Sequence, residues 1–131
     1  MKNIIDTGPL VYRFDKSENS IARWSRLLFR THEPPFYTCE AVLTEAAYMT
    51  SPELIARLVK DGDLVADFSM QEEIEHVHQL LAHYPGMDLA DACLVRMSEL
   101  TPDCRIFTID RRDFSVYRRF RNKVVPAVFP E

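Results

Sequence analysis

Four acidic residues stand at the ends of apolar runs, or inside them, at widely separated points of the chain. They are Asp6 after Asn3, Ile4 and Ile5, Glu45 within AVLTEAAYM, Asp91 within MDLADACL, and Asp110 closing IFTID. A fold that gathers the ends of several elements would gather these carboxylates too. Like charges repel at close range, so such a set calls for a compensating cation, and oxygen ligands select a hard one, Mg²⁺ or Mn²⁺. One or two such ions would polarise a phosphodiester, activate a water and offset charge on the leaving oxygen. Asp6, Asp91 and Asp110 are the candidate direct ligands, and Glu45 acts directly or through water. Asp113 is an auxiliary candidate outside that set, able to orient a water or a second ion.

The elements that must position these acids can be read from periodicity. Residues 3 to 5 read as a short buried strand that a turn at Thr7, Gly8 and Pro9 ends just after Asp6. Ile21, Trp24, Leu27 and Leu28 mark a helix over about 18 to 30, and Pro34 and Pro35 separate it from a strand at 36 to 38. On a helix beginning near Glu40, Val42, Glu45 and Met49 share one face, so Glu45 is expected on an apolar side where it needs a metal, a basic partner or a wet groove. Ser51 and Pro52 open another helix, and LVADF at 64 to 68 reads as a strand. A helix is expected over 70 to 84, and another over 89 to 100 with its stripe at Leu89, Ala92, Cys93, Met97 and Leu100. Residues 105 to 109 form a strand that delivers Asp110, and VVPAVF is a last strand in which Pro126 marks a sheet edge or a break.

Strands alternating with helices predict an α/β domain with three layers, a mainly parallel five-stranded sheet between helices. Ligands of such sheets collect beyond the carboxyl ends of the strands, where Asp6 and Asp110 are expected. The 131 residues, 47% of them hydrophobic and only three of them Gly, suit one domain spanning 1–131. No stretch reads as a signal peptide or a membrane span, so a cytoplasmic protein with no membrane partner is expected. Cys39, Cys93 and Cys104 lack metal or disulfide spacing and read as buried thiols, while His76, His78 and His83 read as surface or boundary residues. The net charge of −4 conceals a basic stretch from Arg105 to Lys123, in which Arg111, Arg112 and Arg118 are candidates for holding a phosphate backbone. A solvated charged face is the plainer account of it.

Each acid also has a plainer account. Asp6 accepts turn N–H groups, Glu45 pairs with an arginine, Asp88 and Asp91 have the spacing of a helix cap and its third residue, and Asp110 caps RRDF.

Four segments, IIDTGPLV with Asp6, AVLTEAAY with Glu45, MDLADACLV with Asp91 and IFTIDRRDF with Asp110, resemble the PIN-domain family of metal-dependent nucleases in order and spacing. The likeness is greatest to the small ribonuclease toxins of type II toxin–antitoxin systems. It implies a parallel sheet between helices and an acidic groove that binds Mg²⁺ or Mn²⁺ and cuts RNA with metal-activated water and no covalent intermediate. It also implies auxiliary roles for Thr7 and Thr108, an antitoxin partner and a homodimer. Trp24, Leu27 and Leu28, and the face around Ile55, Leu58 and Val59, are candidate partner surfaces, with core packing as the alternative for each. A catalytically silent RNA- or protein-binding regulatory domain is the competing reading, and a small-molecule phosphohydrolase is another. The absence of GxxxxGK[ST] weakens an NTPase reading.

Overall fold

The computed structural model describes residues 1–131. In chain order it comprises β1 (Lys2–Ile5), α1 (Thr7–Tyr12), α2 (Ser20–Thr31), β2 (Phe36–Thr38), α3 (Glu40–Met49), α4 (Pro52–Lys60), β3 (Leu64–Ala66) and α5 (Ile74–His83). There follow α6 (Leu89–Leu100), β4 (Cys104–Phe107), α7 (Arg111–Phe114), β5 (Arg118–Arg119), β6 (Lys123–Val124) and β7 (Ala127–Val128). Five strands form one sheet in the order β3-β2-β1-β4-β7 with every pair parallel. Helices flank it on both sides, as the three-layer expectation requires. Ile4 and Ile5 point to opposite faces of β1 and both are fully buried, which is why this strand is continuously apolar.

The strand order places the site. From β1 the chain moves outward through β2 to β3, and then returns to the opposite side of β1 to lay down β4. Strand order thus reverses between β1 and β4, which pair from Lys2↔Cys104 to Ile5↔Phe107. A crevice forms at the carboxyl ends of two such strands because the connections leaving them diverge to opposite sides of the sheet. Asp6 follows β1 at that rim, and Asp110 lies three residues beyond β4.

Several boundaries differ from the periodicity reading. The segment after Asp6 is helix from Thr7 onward, because Asp6 caps it and Pro9 sits in the first turn, where its missing N–H is not needed. Residues 70–73 are a turn, in which Ser69 Oγ accepts from Glu72 N at 3.2 Å, and the helix starts only at Ile74. The strand from Leu64 stops at Ala66. The terminal apolar run divides at Pro126 into β6, paired with β5, and β7 at the sheet edge. The expected stripe on α6 is also corrected. Leu89 and Leu100 are exposed while Ala90, Asp91, Leu94, Val95 and Ser98 are buried, because α6 is enclosed by the sheet and neighbouring helices on most of its circumference. All three cysteines are free and buried, and His76, His78 and His83 are exposed. Leu28, Ile55 and Leu58 belong to the core, whereas Leu27 and Val59 are exposed. No helix is long and apolar enough to cross a membrane.

Gly8 allows α1 to approach the loop that carries Asp110. A Cβ at this position would lie 2.6 Å from Cγ1 and 2.8 Å from Cδ1 of Ile109, too close for any side chain. Gly8→Ala is therefore expected to force Ile109 aside and to destabilise the fold by about 1–3 kcal/mol. Chemical denaturation measures this, and a variant as stable as the parent would show that the contact relaxes freely.

Candidate metal centre

Two helices begin beside one another with the same local design. Asp88 caps α6 by accepting from Asp91 N at 2.8 Å, and Asp110 caps α7 by accepting from Asp113 N at 3.0 Å. Each cap holds an acid at the third helical position, so each helix presents a pair of carboxylates at its start. One oxygen from each of Asp91, Asp110 and Asp113 lies within 4.8 Å of the other two. Asp113, placed outside the principal set by its sequence, thus joins the cluster. The spacing of Asp110 and Asp113 repeats that of Asp88 and Asp91, and this repeat is the signal that could have placed it there.

Asp6 joins the group through Thr108. Its Oδ1 accepts from Thr7 N at 2.7 Å and its Oδ2 accepts from Thr108 Oγ1 at 2.7 Å, while the same Thr108 hydroxyl accepts from Asp110 N at 3.1 Å. One buried hydroxyl therefore fixes the carboxylate after β1 relative to the backbone after β4. On the other side of the cluster, Tyr117 donates its hydroxyl to Asp91 Oδ2 at 2.8 Å. Tyr117 packs edge-on against Phe114 and Tyr84, with ring centroids 5.2 and 5.3 Å away. No periodicity or motif singled out Tyr117, since its partner lies 26 residues away in sequence.

Glu45 departs from its expected setting. It is exposed, as is Met49, because α3 turns Val42 and Ala46 inward instead. Its charge still acts on Asp6, which places it on the rim facing the cluster. Thr7 is buried, and its Oγ1 has no hydrogen-bond partner. Arg112 is exposed near Asp110 and lowers the pKa of that carboxyl. Arg111 stacks on Phe129 and donates to Pro130 O at 3.0 Å, and Arg118 donates through Nη1 to the carbonyls of Ser115, Val116 and Tyr117.

The electrostatics identify a site short of positive charge. Burial raises the Asp6 carboxyl from 3.8 to about 6, with the charges of Glu45 and Asp88 adding and the bonds from Thr108 and Thr7 opposing. Burial likewise raises Asp91 to about 7, with Asp88, Asp6 and Asp110 adding and the Tyr117 bond opposing. Asp110 is raised by burial first, and by the charge of Asp113. Burial and the bond to Asp91 push the Tyr117 phenol far up, so it remains a donor. Clustered carboxylates, a partnerless hydroxyl at Thr7 and an all-oxygen donor set together fit a hard divalent cation. Asp91, Asp110 and Asp113 could hold it directly.

Thr108 is a positioning residue. Thr108→Val removes both bonds and is expected to weaken Mn²⁺ binding about 10–100-fold, while Thr108→Ser retains most of the affinity. Calorimetric titration of the folded variants tests this, and equal affinity in the valine and serine forms would remove Thr108 from the site.

Fold and site together define a small α/β domain with a central parallel sheet and an acidic cluster at its switch point, consistent with a PIN-like fold. No protein-family model matches the chain, and no curated protein matches it at a significant level.

Proposed function

We propose that this protein is a Mg²⁺- or Mn²⁺-dependent endoribonuclease of the PIN-domain kind. The observation that carries the reading is the convergence of Asp91, Asp110 and Asp113 to within 4.8 Å at the sheet's switch point, with Asp6 tied to them through Thr108. A divalent cation bound there would supply Lewis acidity toward a phosphoryl oxygen and make water a stronger nucleophile near neutral pH.

The chain's own groups would do the rest. Asp91, Asp110 and Asp113 would hold the cation, beside Asp6, whose two oxygens accept from Thr7 N and Thr108 Oγ1. Tyr117 keeps one oxygen of Asp91 occupied and so directs the other toward the site. Glu45, on the wet rim, is placed to orient a water or accept its proton. Arg112, beside Asp110, would meet the phosphate backbone. The role of toxin, an antitoxin partner and a homodimer are carried from the motif resemblance.

The test is cleavage of single-stranded and structured RNA by purified protein, with Mg²⁺, with Mn²⁺ and with chelator, beside Asp110→Asn. Metal-dependent cleavage abolished in the variant is expected. Cleavage that persists equally in the variant would refute the assignment, and RNA binding without turnover under all metal conditions would favour a silent binding domain.

A further inference from the structure

A groove of about 490 Å³ opens behind Tyr84, between α5, α6 and the β5–β6 hairpin. Its lining is basic and aromatic in a chain whose net charge is −4. Glu99 is its one acid, and both oxygens are engaged, Oε1 by Arg96 at 3.1 Å and Oε2 by the backbone N–H of Phe120 at 2.7 Å. Arg96 is also held by Glu73 at 2.8 Å, so its charge is fully engaged between two carboxylates. The groove's cations without a carboxylate partner are Arg118 and Arg121. Arg118 uses Nη1 on backbone carbonyls, leaving its Nε and Nη2 groups without protein partners. Arg121 is exposed and in no ion pair.

The hairpin presents its tip residues in an unusual way. Phe120 and Arg121 both have left-handed backbones, with φ of 50° and 72°, and Phe120 remains 45% exposed. A large apolar ring on a strained backbone is not placed there by burial, since it is not buried. His83 lies on the facing helix with its ring edge-on to Tyr84 at 4.6 Å, and an imidazole always retains at least one N–H donor. Exposed ring, cationic side chains and a ring-bearing donor form the combination that binds single-stranded nucleic acid, through stacking on the base and charge on the phosphate.

The groove also has a structural connection to the metal centre. Tyr84 packs in a T-shaped pair with Tyr117 and accepts from Arg118 N at 3.0 Å, and Tyr117 donates to Asp91. One pair of tyrosines separates the groove from the acidic cluster.

We infer that this groove binds a nucleotide of the RNA strand flanking the bond to be cut, its base against Phe120 and its phosphate at Arg121 and Arg118. The inference rests on the nuclease reading for its account of the adjacent site, but binding can be measured apart from cleavage.

The test uses Phe120→Asn and Arg121→Asn, because asparagine accepts the left-handed backbone at both positions. Binding of a fluorescent single-stranded oligoribonucleotide of about twelve nucleotides is measured in chelator across a salt series, where no cleavage intervenes. Phe120→Asn is expected to weaken binding about 5-fold or more. Arg121→Asn is expected to weaken it severalfold at low salt and to reduce the salt slope by about one. Wild-type affinity and salt slope in both variants would overturn the inference, as would displacement of an acidic peptide by these substitutions with RNA binding intact. A wild type that binds RNA through these residues yet never cleaves it would refute the nuclease reading and leave the groove standing.

Discussion

Asp91→Asn is expected to yield a protein that is more stable than the parent at pH 8 without metal and at least about 100-fold slower in metal-dependent RNA cleavage. The two effects have one cause. Asp91 is 7% exposed, and burial together with the neighbouring charges of Asp88, Asp6 and Asp110 raises its carboxyl to about 7. At pH 8 it is ionised, against a penalty on the order of 2 kcal/mol once solvent screening is allowed for. Asparagine removes that charge and keeps an oxygen to accept from Tyr117. The melting temperature should rise by about 4 °C or more, and the increase in melting temperature that Mn²⁺ causes in the parent should disappear. Thermal melts with and without Mn²⁺, alongside cleavage assays, measure both. A variant that loses stability in chelator would mean that Asp91 is a structural anion matched to a donor, and parental cleavage would exclude it from the site.

The second large effect is a pH dependence that metal reverses. Asp6 titrates at about 6 and Asp91 at about 7 in the folded chain, both above the 3.8 of an ordinary aspartate. Between about pH 4 and 7 the folded state therefore retains protons that the unfolded state has released. Stability then falls as pH rises, because the unfolded state binds fewer protons. The contribution is fully present below about pH 4 and is lost as pH passes through 6 and 7. Where both carboxylates contribute, the slope approaches about 2–3 kcal/mol per pH unit at its steepest, near pH 5. A divalent cation competes with those protons, so stabilisation by Mg²⁺ should be small at pH 5 and grow through pH 8. Denaturation at several pH values, with and without millimolar Mg²⁺, gives the answer. Identical metal-free and metal-bound curves at every pH would deny the cluster a cation, and the loss of the slope in Asp91→Asn would assign its share to that residue.

The free-energy cost of clustered carboxylates is met by the well packed core at whose rim they lie. Ile4, Ile5, Ile106 and Phe107 are buried at most 2% exposed on the two central strands, and they hold β1 and β4 in register. That register brings Thr108 beside Asp6 across 102 residues of chain. The acids cost free energy where they lie, and the strands that carry them hold them there.

Much of this was legible in the sequence where the cause is local. A strand buried on both faces reads as a short apolar run, and a helix cap reads as an acid three residues before its N–H donor, so β1, β4 and the starts of α6 and α7 could be read from near neighbours. Those local features were enough to predict a parallel three-layer sheet and to place Asp6, Asp91 and Asp110 at element ends. Periodicity was misleading on α3 and α6, because which side of a helix is buried depends on what packs around it. Glu45 shares a stripe with Val42 yet faces solvent, and α6 buries sides that its apolar stripe does not mark.

What the tertiary structure alone decided is which acids meet. The reversal of strand order at β1 sets the crevice, and it depends on where the chain crosses after β3, a choice that no local pattern records. That reversal brings Asp110 and Asp113 at the start of α7 beside Asp91 at the start of α6. The hydroxyls that position the carboxylates, Thr108 on Asp6 and Tyr117 on Asp91, act across 102 and 26 residues. Residue type and spacing determined that this chain carries carboxylates fit for a hard cation, because charge and capping are properties of neighbours along the chain. Their assembly into one site awaited the fold, because distance between remote residues is set by packing.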